Sequence, residues 1–159
     1  MRSADKPYLF SFERAHSDPL AYIPLGVRFW LDRCGLRLTL AQWQALPEED
    51  RVQLASAEPA FDEAHADAFA HLLDACIMRV GAGELECQVP ETPQELTPTP
   101  VPETVVSQAA QHGHDGPSQQ VWDALSVGQR YALAKLARKA RRSEDFAAAM
   151  AEFGIRGPG

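Results

Sequence analysis

Two stretches of this chain repeat one pattern 79 positions apart, and that repetition constrains the fold more than any other feature. T-L-A-Q-W-Q-A-L-P-E-E-D-R-V-Q-L-A begins at Thr39, and S-Q-Q-V-W-D-A-L-S-V-G-Q-R-Y-A-L-A begins at Ser118. Trp43 aligns with Trp122, Ala45 with Ala124, Leu46 with Leu125, Arg51 with Arg130, Leu54 with Leu133 and Ala55 with Ala134. That is six identities in 17 positions, where average composition would give about one. Upstream, Ile23-Pro24 resembles Val101-Pro102 and Gly35 resembles Gly113, at an offset of 78. Self-similarity at a fixed spacing signals a duplicated unit. Each copy reads as a helix, a glycine stop, a short Trp-bearing helix, a sharp turn and an Arg-bearing helix. The expected fold is all-α: a compact helical domain over 1–159, built from two pseudo-repeated multi-helix units. The first spans 23–80 and the second 103–153, with a Pro-rich connector over 87–102 between them.

Local signals agree with helices. Pro24 suits a first helical position, where its missing N–H costs nothing, and Val27, Trp30, Leu31 and Cys34 then share one face. Gly35 can take the left-handed conformation that stops the helix. Thr39 and Gln42 form a capping-box pattern, as do Ser126 and Gln129. Pro47 breaks the first Trp-bearing helix, and Glu48, Glu49 and Asp50 suit the N-terminus of the next. Residues 61–80 carry the clearest amphipathic pattern, with His65, Ala68, Phe69, Leu72, Leu73, Cys76, Ile77 and Val80 recurring at three and four. Asp62 and Glu63 open this stretch, and Arg79 and Gly81 close it. The alternation of Tyr8, Phe10 and Phe12 predicts an extended arm laid on the core. Pro90, Pro93, Pro98, Pro100 and Pro102 forbid helix and central strand across the connector, which reads as a stiff spacer. Helices are expected again from Glu103, and over 118–125, 127–140 and 143–152.

At 159 residues, 45% hydrophobic and 23% charged, the chain has the composition of a folded domain with a buried core. The formal charge of −7 opposes nucleic acid and anionic membrane unless charge is segregated. One stretch is segregated: Arg130, Lys135, Arg138, Lys139, Arg141 and Arg142 occur with no acid among them, enough to steer an acidic partner. Neither a nucleic-acid partner nor a membrane is expected. Cys34, Cys76 and Cys87 are odd in number and widely spaced, with no C-x-x-C pair, which argues against a zinc knuckle or redox dithiol. No apolar run is long enough for a transmembrane helix and the N-terminus does not read as a signal peptide. The expected location is the cytoplasm.

Catalytic motifs are missing: no G-x-G-x-x-G, P-loop, H-E-x-x-H or G-x-S-x-G occurs. An enzyme is not expected, and neither is a cofactor or a resident metal. His112 and His114, beside Asp115, resemble a loose metal clamp, but a structural zinc needs four ligands. Arg28, Arg51 and Arg130 lie in apolar helical patterns, where a guanidinium serves either as an architectural tie or as an anchor for an anion or a partner's carboxylate. Asp32 is four residues from Arg28 and could pair with it. With Lys135, Arg138 and Arg142 from the basic stretch, these form the candidate ligand- or partner-binding set. Trp30, Trp43 and Trp122 are residue types found at binding hot spots and equally in cores; for Trp43 and Trp122 the core is expected.

The order of these residues resembles the nitrate reductase-associated protein family. The resemblance is carried by F-S-F-E at 10–13, by I-P-L-G-V-R-F-W-L-D-R-C-G-L-R-L-T-L-A-Q-W-Q-A-L at 23–46, by W-D-A-L-S-V-G-Q-R-Y-A-L-A-K-L at 122–136 and by A-E-F-G-I at 151–155. Members of that family are found with nitrate assimilation genes, notably in cyanobacteria. The resemblance implies a non-catalytic bacterial helper that binds the molybdenum-containing nitrate reductase, or the machinery that assembles it and inserts its molybdenum cofactor. It supplies no catalytic residues to carry over. The alternative expectation is a binding protein or enzyme that takes an anionic small molecule or cofactor in a cleft between the repeated units, lined by Arg28, Arg51 and Arg130.

Overall fold

A computed structural model describes residues 6–15, 17–60, 62–90, 100–138 and 143–155. Among them the chain is all-α, with nine helices and a single two-stranded ladder. It divides into two compact units, Met1–Thr92 and Pro93–Gly159.

In the first unit the aromatic arm behaves differently from its alternation. Phe10 is extended and buried, but the next residues turn into a short helix, α1 (Ser11–Arg14). The cause is Glu13. Its Oε1 accepts from the Phe10 N–H at 3.1 Å, and its Oε2 accepts from the Leu25 N–H at 3.0 Å. One carboxylate thus closes α1 and also caps α2 (Leu25–Cys34), whose first amides have no partner within the helix. Pro24 sits one position earlier than its sequence suggested, as the N-cap with ψ 155°. Tyr8 lies against Gly26, where an added Cβ would come within 3.0 Å of its ring.

Gly35 ends α2 in the left-handed region, at φ 71°. Leu36–Arg37 (β1) then pairs antiparallel with Glu86–Cys87 (β2). The ladder extends one step further, the Gln88 N–H donating to the Gly35 carbonyl at 2.8 Å. Two-residue strands leave no readable alternation, and the proline-rich stretch was not expected to begin with one.

Both halves of the Thr39/Gln42 capping box form at the start of α3 (Leu40–Ala45). Pro47 separates it from α4 (Glu48–Ala55). The amphipathic stretch is α5 (Glu63–Val80), opened by Asp62 accepting from the His65 N–H at 3.0 Å and closed by Gly81 at φ 66°. Helix α2 packs on α4 and α5, and α4 packs on α5. The buried apolar residues of this unit include Val27, Phe29, Trp30, Trp43, Leu46, Leu54, Phe69, Leu73 and Ile77. Each large apolar side chain so enclosed contributes about 1.5–3 kcal/mol.

The second unit holds α6 (Glu103–Gln111), α7 (Gln119–Ala124), α8 (Val127–Ala137) and α9 (Glu144–Glu152). Ser118, Ser126 and Ser143 cap the last three with their hydroxyls, as Ser does at N-caps generally. Helix α8 packs against α6 and α9, and nearly every residue from Gly128 to Ala137 is buried. Gln108 of α6 reaches α9's cap, accepting from the buried Ser143 N–H at 3.0 Å.

Candidate functional site

The candidate residues are best read from the main-chain groups they hold. In the first unit the Leu20 carbonyl accepts twice: from Trp43 Nε1 at 2.8 Å and from Arg51 Nη1 at 2.8 Å. Beside it, Gln44 Nε2 donates to the Ala21 carbonyl at 2.8 Å. A carbonyl has two lone pairs, and here both are filled by side chains of the α3–α4 hairpin. Arg51 therefore fastens the segment before α2 to that hairpin, while its Nε is buried with no acceptor. Arg28 is exposed on α2, and its Nε donates to the Ile23 carbonyl at 3.4 Å. Asp32 is buried on the same helix. Among the described residues no ion pair joins it to Arg28.

In the second unit Arg130 is buried on α8, and its Nη1 donates to the Leu125 carbonyl at the corner between α7 and α8. Lys135 is partly exposed, with Nζ 5.8 Å from the Tyr131 ring centre. Arg138 is exposed at the C-terminal end of α8, where a cation meets the negative end of the helix dipole. Arg142, like Lys139 and Arg141, lies outside the described residues. Arg28, Asp32 and Arg51 thus belong to the first unit, and Arg130, Lys135 and Arg138 to the second.

All three tryptophans are buried, so Trp30 joins Trp43 and Trp122 in the interior and is no exposed hot spot. Trp30 donates to the Ala57 carbonyl at 3.3 Å, and the His65 ring lies 4.5 Å from its own. His112 caps the end of α6 and stacks on Phe146 at 6.2 Å. Among the described residues no three His, Cys, Asp or Glu side chains gather as a metal-binding group, and no helix is long and apolar enough to cross a membrane.

Two ion pairs, each with one buried and one exposed member, escaped the sequence reading. Arg33, at the end of α2, pairs with Glu63 at the start of α5. Buried Asp50 of α4 pairs with Arg79 of α5 at 3.3 Å. Both join residues 29 or 30 positions apart, so neither leaves a local spacing. The thiols near them are subdued. Burial pushes Cys34 up to about 11, the Asp67 carboxylate adding to this and Arg33 opposing it. Its Sγ donates to the Ala66 carbonyl at 3.0 Å. Cys76 is likewise raised, by burial first and then by Asp50. A thiol held neutral is a poor nucleophile. Cys87 is exposed on β2.

No match is found among the curated proteins or among the solved structures. Compared with known families, residues 9–153 match the conserved nitrate reductase-associated proteins. The matched span runs from the arm that Glu13 folds back, through both tryptophan hairpins, to the end of α9. The chain belongs to the conserved nitrate reductase-associated protein family.

Proposed function

We propose that this protein is a non-catalytic accessory protein of nitrate assimilation. It binds the molybdenum-containing nitrate reductase, or the machinery that assembles it and inserts its molybdenum cofactor. The observation that carries this reading is the family match over 145 of the 159 residues. The name attached to that family is one of association with the reductase, and the proposed location is the cytoplasm. Arg51 and Arg130 add support, since each directs one guanidinium nitrogen to a main-chain carbonyl of its own unit. That use favours architecture over anion capture. For partner binding the candidates are Arg28 and the buried Asp32 in the first unit and Lys135, Arg138 and Arg142 in the second, with Arg51 and Arg130 serving as ties within their own units. Arg138 is the exposed cation of α8 that an acidic partner would meet.

The two tryptophan hairpins are further read as products of duplication. Thr39 and Ser118 each cap a six-residue helix. Trp43 and Trp122 are each fully buried, and Leu46 and Leu125 each end the helix in an extended conformation.

Affinity capture of the tagged protein from cells grown on nitrate tests the function. The molybdenum nitrate reductase or a cofactor-insertion factor should be recovered, and Arg138→Glu should lower that recovery severalfold. Recovery of neither class of protein by the unmodified chain would remove the reading.

A further inference from the structure

The two short tryptophan helices are held by different means. Helix α3 is stitched to the rest of its unit by four hydrogen bonds from three side chains. Gln42 Nε2 reaches the Ala82 and Glu84 carbonyls at 3.2 and 3.1 Å, Trp43 Nε1 reaches Leu20, and Gln44 Nε2 reaches Ala21. Helix α7 receives the Val101 N–H on Gln119 Oε1 at 3.2 Å. Its tryptophan, however, makes no such tie. Trp122 is 0% exposed, and its Nε1 is buried with no hydrogen-bond acceptor.

A buried donor without an acceptor carries the cost of lost hydration and recovers nothing for it. That cost offsets part of what burying the Trp122 ring contributes, so opening α7 to let water reach the indole costs less than opening α3, whose indole would give up a hydrogen bond. The chain before α7 also has two turning points, since Gly113 and Gly116 hold φ 71° and 80°. An added Cβ at Gly113 would meet nothing within 4 Å, whereas one at Gly116 would lie 3.4 Å from the Ala109 Cβ, so the open end of the turn is at Gly113.

We propose that α7 is the opening element of the second unit: it swings on the Gly113–Gly116 turn, releasing the Trp122 indole N–H to water, while α3 stays shut. Opening uncovers the ring of Trp122 and the side chain of Leu125, both buried in the shut state. The fold thereby holds a local, reversible exposure of apolar surface at one tryptophan and denies it at the other.

Hydrogen–deuterium exchange of the three indole N–H groups, followed by NMR on the full-length protein, tests this directly. Trp122 should exchange about 10- to 100-fold faster than Trp43, the factor expected when one buried donor is unsatisfied and the other is bonded. A Trp122 rate equal to or slower than that of Trp43 overturns the proposal. Two variants check the cause. Trp43→Phe and Trp122→Phe remove the same ring from fully enclosed sites, but only the first breaks a hydrogen bond. The melting temperature should fall further for Trp43→Phe, and equal falls would overturn the proposal. Should Trp43→Phe fail to fold, Gln42→Ala serves in its place. Loss of its two ties, together with its half of the Thr39 capping box, should speed Trp43 exchange toward the Trp122 rate, and an unchanged rate counts against the side-chain anchoring of α3 as the cause.

Discussion

At the residue scale, three cysteines of one chemistry have been given three environments. Cys87 faces solvent, Cys76 is enclosed, and Cys34 is partly enclosed with its thiol on a main-chain carbonyl. Titration with an aromatic disulfide reagent at neutral pH should show one fast thiol, lost in Cys87→Ser, and two that react only on unfolding. The raised value of Cys34 also sets a pH window. Its ordinary value is 9.0 and its folded value about 11, so the folded chain holds this proton more tightly than the unfolded one. Stability from this group is complete below about pH 9 and is lost as pH rises toward 11. Cys34→Ala should flatten the urea midpoint against pH across that interval, and an unchanged slope would show that Cys34 does not contribute. Side-chain identity alone revealed the apolar setting of Cys34 and Cys76, because both fall on helix faces. It did not reveal the carboxylates beside them, since Asp50 approaches Cys76 from another helix.

At the element scale, helix ends were legible and helix partners were not. Gly35, Thr39, Pro47, Asp62, Gly81, Ser118 and Ser126 all mark boundaries found in the fold. Capping and left-handed stops depend on residues a few positions apart, so a single sequence exposes them. The β1–β2 ladder and the convergence of Trp43 and Arg51 on Leu20 depend on distant segments meeting, and neither was foreseen. Two glycines separate the local contribution from the distant one. Gly35 and Gly81 hold nearly the same left-handed conformation, with φ 71° and 66°. A Cβ at Gly81 would meet nothing within 4 Å, whereas one at Gly35 would lie 2.5 Å from the Gln88 carbonyl oxygen and 2.9 Å from Pro90 Cγ. Gly81→Ala should therefore cost about 1 kcal/mol in chemical denaturation, the conformational part alone. Gly35→Ala should cost more, roughly 2–4 kcal/mol, because the β1–β2 pairing must also shift. Equal costs would mean that the ladder adds nothing to the closure of α2.

At the scale of the whole molecule, the all-α class was readable from periodicity and stops along most of the described chain. The candidate cations were readable as residues but not as roles. Arg28, Arg51 and Arg130 share an apolar sequence setting, yet Arg28 is exposed, Arg51 half-buried and Arg130 buried. Periodicity reports which face a residue is on, not which distant carbonyl waits there. With one nitrogen of Arg51 and one of Arg130 engaged in this way, a thermal-shift screen with nitrate, molybdate and nucleotides should leave the melting temperature unchanged. A concentration-dependent rise with any of these anions, abolished in Arg51→Met, would favour the ligand-binding alternative.

The double grip of Glu13 bears on how this chain can be cut. Because one side chain seals the first amide of α2 from twelve positions away, the leading residues are part of that helix in all but sequence. A shortened version starting near Ile23 would keep every residue of α2 and still leave its opening turn bare. Anyone trimming the front end to aid crystallisation, or displaying the first unit alone, should begin upstream of Phe10.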